Sequence, residues 1–292
     1  MRTPVKLALF AVGLLVLFGV GLGIGKLSDG PTEKASAHSH DETAAMEHAT
    51  PAGLQVSQNG YTLGPVAAPA VAGRPGTLNY TILDGTGSAT TGFDTLHEKQ
   101  LHLIVVRSDT MEYRHVHPTM AADGTWSIDW TWPTGGTYRV FTDFDPAGDA
   151  EQVTLSRTVE VAGSYDPQPL PAPTRTAEID GYTVRLTGDL TTAGEMLEFT
   201  VERDGRPVTD LEPYLGANGH LVALRVGDLA YLHAHPEEAE GDAITFHVQA
   251  PTAGQYRLYL DFKHEGVVRT AEFTVDAGNV QAATNGHSGG HG

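Results

Sequence analysis

The stretch HLIVVRSDTMEYRHVHP, residues 102–118, returns 118 residues later as HLVALRVGDLAYLHAHP, residues 220–236. A second pair keeps the same offset: PTGGTYRVFTDF, residues 133–144, lies over PTAGQYRLYLDF, residues 251–262. The correspondence runs without a gap from His102 through Phe144, with about a third of positions identical, so the chain contains an internal duplication. One fold therefore has to serve two units.

Outward from these segments the apolar residues alternate with polar ones. Leu78, Tyr80 and Ile82 do so in the first unit, as do Trp126, Ile128 and Trp130. In the second the pattern is Leu197, Phe199 and Val201, then Ile244, Phe246 and Val248. Period two is the signature of half-buried strands, and the 34 Gly and 17 Pro supply turns between them. About seven short strands per unit predict an all-β chain of two tandem immunoglobulin-like β-sandwich domains.

Composition divides the remaining chain. Arg2 and Lys6 precede a charge-free apolar run from Leu7 to Ile24, which nearly matches a bilayer core of about 30 Å. Positive residues at its front predict a cytoplasmic N-terminus, with the domains outside. Residues 1–28 are thus read as an uncleaved membrane anchor. The competing reading is a signal peptide cut after Ala35-Ser36-Ala37, giving a secreted chain that begins at His38. Residues 29–53 read as a flexible stalk carrying His38, His40 and His48. Repeat 1 is expected over 54–163, repeat 2 over 177–276, and a semi-rigid linker with Pro167, Pro169, Pro171 and Pro173 over 164–176. Residues 277–292 form a Gly/His tail with His287 and His291.

Lys and Arg total 18 against 36 acidic residues, a net charge of -18 that repels nucleic acid. The chain has no cysteine, which excludes disulfides, thiolate zinc sites, blue-copper sites and thiol catalysis. Any metal must be held by His, carboxylate or Met. Histidine is abundant, with 14 residues, and unevenly placed.

The chemistry concentrates in one hairpin of each unit. A strand Leu101 to Arg107, a turn Ser108-Asp109-Thr110 and a strand Met111 to His117 put His117 opposite His102. Closure at Gly227-Asp228 puts His235 opposite His220, and His233 opposite Val222. Because side chains alternate, His115 and His117 share a face, and His102 joins them across the ladder. A one-residue slip would send His102 to the other face. Two triplets, His102, His115, His117 and His220, His233, His235, are the candidate metal ligands. Neutral imidazoles at this spacing suit Cu(II), or Zn(II) as an alternative. The other reading makes these histidines structural, ending strands before Pro118 and Pro236 through hydrogen bonds.

Other recurrences are weaker. Asp143 and Asp261 are candidates for a fourth ligand or for pairing with Arg139 and Arg257. His97 and Glu98 face Leu215 and Gly216 at the matching positions, so they are assigned to no shared site, and His247 and His264 are likewise unmatched. Tyr138 and Tyr256 are read as packing. Met111 and Met120 are replaced by Leu229 and Glu238, which disfavours a shared thioether site for Cu(I).

The segments HEKQLHLIVVRSDTMEYRHVHP and GHLVALRVGDLAYLHAHP resemble bacterial membrane-anchored or secreted proteins described as heavy-metal or copper associated. The likeness covers the two repeat cores. It implies an association with metal, and together with the anchor and the two triplets the leading reading is a non-enzymatic, membrane-tethered protein for extracytoplasmic copper buffering, delivery or tolerance, with a protein partner left open. The alternative is a cell-surface tandem Ig-like interaction module with structural histidines. A zinc hydrolase is a third reading, disfavoured because no duplicated base accompanies the histidines. Each triplet is expected to bind one ion independently, with the linker holding the units apart, and binding should weaken as pH falls through about 6.5.

Overall fold

The first strand of the duplicated hairpin differs from the others in that its apolar residues do not alternate, and every residue from Leu101 to Arg107 is buried. A strand that is apolar on both faces is covered on both. One face closes a sandwich and the other meets the second repeat. This computed structural model describes residues 51–148, 151–232, 234–237 and 243–278. The expected anchor helix, the stalk histidines His38, His40 and His48, His233, and the tail histidines His287 and His291 lie outside the described residues. Among the described residues no helix is long and apolar enough to cross a membrane.

The first repeat comprises β1 (Ser57–Gln58), β2 (Tyr61–Leu63), β3 (Gly76–Leu83), β4 (Phe93–Asp94), β5 (Leu101–Arg107), β6 (Arg114–Val116), β7 (Thr119–Met120), β8 (Thr125–Trp130), β9 (Gly136–Pro146) and β10 (Val153–Val161). The second comprises β11 (Thr176–Ile179), β12 (Tyr182–Thr187), β13 (Glu195–Arg203), β14 (Arg206–Pro207), β15 (Gly219–Arg225), β16 (Tyr231–Leu232), β17 (Ala234–Glu237), β18 (Ile244–Val248), β19 (Gly254–His264) and β20 (Val267–Ala277). In the first repeat the order β1-β2-β3-β8-β7 makes one sheet and β10-β9-β5-β6 the other, with β4 on β9. The second has β11-β12-β13-β18-β17, with β14 on β13, against β16-β15-β19-β20.

This is the immunoglobulin arrangement, one sheet in A-B-E-D order and one in C′-C-F-G order. A tyrosine corner confirms it in both copies. Tyr138 donates its hydroxyl to the Thr134 carbonyl at 3.0 Å, and Tyr256 donates to the Thr252 carbonyl at 2.9 Å. Strands exceed the expected seven because hairpin edges break up: β6 pairs with β5, whereas β7, three residues on, pairs with β8.

Each sandwich fills with the inward face of its strands. Trp132, fully buried, packs against Trp130 and Tyr138 and donates its indole N–H to the Pro69 carbonyl at 2.8 Å. In the second repeat Phe199 sits between Phe246 and Phe273. Truncating so large a fully buried ring leaves a cavity. Phe199→Ala should therefore cost about 3–5 kcal/mol, read as a lowered denaturation midpoint, and Phe199→Leu should recover much of the loss.

The outward faces of β5, β9, β15 and β19 build a third core. Leu103 and Val105 belong to the first sandwich, while Ile104 and Val106 turn the other way. Leu221 and Ala223 belong to the second sandwich, while Val222 and Leu224 turn out. These outward residues cluster with Phe141, Leu229, Tyr231 and Tyr259. Tyr113 stacks on Tyr259 with centroids 3.9 Å apart, Phe141 lies 5.9 Å from Tyr231, and the Tyr259 hydroxyl donates to the Thr110 carbonyl at 2.6 Å. The expectation that the linker holds the units apart is corrected here: they share a core, because leaving these side chains in water would forfeit roughly 1.5–3 kcal/mol each. Residues 164–174 carry no strand, and the first part folds back on the hairpin turn, with the Gln168 amide donating to Asp109 at 3.0 Å and the Tyr165 ring under Arg107.

Candidate metal centre

Strand parity decides where the histidines go. His102 shares a face with Ile104 and Val106, so it points to the interface. The β5–β6 register, Leu103 with Val116 and Ile104 with His115, brings His115 to the same face. Continued by one pair, that register sets His117 beside His102, as the sequence spacing requires, and their ring centroids are 5.0 Å apart.

Three ring nitrogens converge. His102 Nδ1 is 2.9 Å from His115 Nε2 and 3.2 Å from His117 Nε2. The ligand atoms of all three histidines lie within 4.8 Å of one another. The far side of two rings is occupied by groups that only accept: His102 Nε2 meets the Leu96 carbonyl at 2.9 Å, and His115 Nδ1 meets Asp261 Oδ2 at 2.8 Å. Those nitrogens must carry the hydrogens. In the neutral rings, His102 Nδ1 and His115 Nε2 therefore present lone pairs to each other. An sp² nitrogen accepts one N–H, yet two imidazole nitrogens face His102 Nδ1. A single proton cannot satisfy all three.

Burial also opposes protonation of His102 and His117. It holds His102 down to about 4 and His117 to about 3, with the neighbouring histidines adding to both shifts. His115 and Asp261 are almost wholly shielded from solvent. Outer nitrogens bonded to a carbonyl and a carboxylate, with inner nitrogens free, is the arrangement that orients metal-bound histidines. Nitrogens each about 2.0–2.1 Å from one ion stand roughly 2.9–3.4 Å apart at angles of about 90–110°, a range that includes both separations from His102 Nδ1 and that hydrogen-bonded nitrogens share.

The second triplet is placed differently. His220 lies on β15 with the same parity as Val222 and enters this cluster, its ring parallel to His102 at 5.2 Å and 4.7 Å from His115. Burial and the surrounding histidines push its pKa well down. Leu224 opposite Tyr231 and Ala223 opposite Leu232 give the register expected for the second hairpin. His235 is on β17, whose backbone pairs with β18 and sets His235 across from His247.

His97, set aside in the sequence for lack of a counterpart, lies 6.1 Å from His102 and 5.5 Å from His220. It sits in a left-handed turn closed by the Leu96–Lys99 bridge, and Leu215 occupies the matching turn. The aspartates pair with neither arginine. Arg139 donates to Ser156 and to the Gly53 and Leu54 carbonyls, and Arg257 pairs with Glu272. Asp261 instead takes His115 of the other repeat, and Asp143 takes Thr154, Gln152 and the Tyr231 hydroxyl. His264 is bonded to Tyr182 and Asp210, remote from this cluster.

A family profile described as a domain of unknown function, DUF8832, matches residues 54–163 and again 177–279. The chain belongs to the DUF8832 family. Its two DUF8832 domains are the two sandwiches, and the family description says nothing of metal or copper. Among curated proteins nothing matches. Solved structures similar to the tandem DUF8832 domains include the adhesin FdeC of Escherichia coli, at 17% identity over 76% of this chain and 65% of that one, TM-score 0.24. InvD of Yersinia pseudotuberculosis shares 14% identity over 78% and 60%, TM-score 0.25. Domains 5–6 of the S-layer protein SbsC share 14% over 76% and 100%, TM-score 0.23. The chain thus spans less than two thirds of FdeC and of InvD. Likenesses this remote add nothing to the strand order and register above.

Proposed function

We propose that the chain is a non-enzymatic, extracytoplasmic tandem Ig-like module that holds a divalent ion, copper before zinc, at His102, His115 and His117. Metal buffering, delivery or tolerance is the role this serves, with residues 7–24 as the tether. The observation that carries the reading is the trio of facing ring nitrogens that one proton cannot satisfy. Nitrogen ligands favour Cu(II) over the other divalent first-row ions.

The similar structures include an adhesin and an S-layer protein, and the coarser reading, an Ig-like module at a cell surface, needs no metal. One experiment separates the two. The full chain is equilibrated with Cu(II) and, in parallel, Zn(II), stripped with a competing chelator that removes ions from isolated histidines, and analysed for metal. Retention of about one equivalent, with Cu(II) held more tightly than Zn(II), is the expected result. A chain that retains neither ion is an interaction module with structural histidines.

A further inference from the structure

We infer that Asp261, in the second domain, positions His115 of the first domain for the ion, so that the metal centre belongs to the docked pair rather than to one hairpin. This rests on the metal reading above.

The residue on the first domain's own β9 that corresponds to Asp261 is Asp143, which lies directly across the ladder from His102. It does not take a ligand histidine: its oxygens are engaged by Thr154 at 2.9 Å and by Gln152 at 3.0 and 3.1 Å. The carboxylate that fixes the tautomer of His115 comes instead from 146 residues away. Asp261 is itself held, its other oxygen accepting the Thr270 hydroxyl at 2.6 Å, and it is almost wholly buried. A carboxylate fixed in this way holds the hydrogen on Nδ1, aims the Nε2 lone pair inward and raises its basicity.

The second domain also supplies a wall. The His220 ring runs parallel to His102 with centroids 5.2 Å apart and stands 4.7 Å from His115, so it covers both rings from the side of the second domain. Separating the sheets would remove the carboxylate and the wall together and leave His102, His115 and His117 on a solvated edge. By linkage, an ion that binds only the docked arrangement must tighten docking to the same extent.

The test uses the full chain. Asp261→Asn keeps the shape but removes the charge, and its amide can flip to donate to Nδ1 and select the wrong tautomer. Loss of such an outer partner should weaken the ion about 10–100-fold and change the Cu(II) EPR spectrum. Leu224→Glu, which puts a charge into the shared apolar cluster at a residue that is itself no ligand, should weaken the ion in the same direction, in protein shown by circular dichroism to keep its sheets. Asp261→Asn with wild-type affinity and an unaltered spectrum overturns the inference. Leu224→Glu with undiminished affinity overturns it as well. If the wild-type chain itself retains no ion, the metal reading fails rather than the role of Asp261.

Discussion

A chain carrying His115→Ala and His117→Ala is expected to lose chelator-resistant ion binding altogether, a fall on the order of a thousandfold or more. Two of three inner-facing nitrogens are gone, and a single imidazole keeps only a small part of the binding free energy of the full set; each tenfold in that loss is about 1.4 kcal/mol. The metal-free protein sharpens the test. His115 is the partner of Asp261 Oδ2, so removing it leaves one oxygen of a buried carboxylate without its donor, which costs about 1–3 kcal/mol. His117 makes one side-chain hydrogen bond, to the crowded nitrogen of His102, so His117→Ala alone gives up a single part-buried bond of about 0.5–1.5 kcal/mol. Its apo stability should change little while ion affinity drops. A structural His117 would show the reverse, a destabilised fold without any metal phenotype. Denaturation with and without ion, on both variants, reads the difference.

The second large effect is of pH on the metal-free chain. In the unfolded state a histidine titrates near 6.5, whereas burial holds His102 near about 4 and His117 near about 3. Between those values the unfolded chain binds more protons than the folded one. Stability is therefore fully present above about 6.5 and is lost as pH falls toward 4. Each histidine held fully neutral contributes a slope of about 1.4 kcal/mol per pH unit, with the partly exposed His117 contributing less. Urea midpoints should consequently fall between pH 7.5 and 5, and more steeply than in a chain with His102→Asn. A flat profile across that interval would mean that the rings are not kept neutral. The same depression places proton competition for the ion below 6.5, the value an isolated histidine suggests.

What the sequence displays, and what it conceals, follows from the range of each interaction. The His102–His117 register needs only strand alternation and a short turn, both local, and the structure sets those rings together as the spacing requires. Tandem Ig-like sandwiches follow from period-two strands and an exact repeat offset. Docking of the two sheets is not local, yet it left a trace: Leu103 to Val106 and Leu221 to Leu224 are apolar without alternation, which is costly for a sheet with one face in water. That trace is what separates a linked pair of domains from a packed pair. The Asp261–His115 bond joins residues in different repeats, and no periodicity reveals it. His97 was missed for another reason: comparing the copies favours residues that both retain, and a site shared between copies draws on residues that only one has.

One consequence concerns symmetry. Tyr113 meets Tyr259, and Tyr231 meets Phe141; shifting either pair by the repeat offset gives the other. Residue i of one copy touches j of the other, and j touches i, which defines an isologous contact, the kind that closes a two-fold dimer. The chain is in effect a homodimer written as a single polypeptide. Its association is intramolecular, so dilution does not separate the halves as it would separate free subunits. Fusion also releases the halves from identity. In a true two-fold dimer every site comes twice, and a substitution on one side is imposed on the other. Here Arg114 can differ from Leu232, His97 from Leu215 and Phe141 from Tyr259, so two equivalent positions around the axis are free to become one centre and its supporting wall.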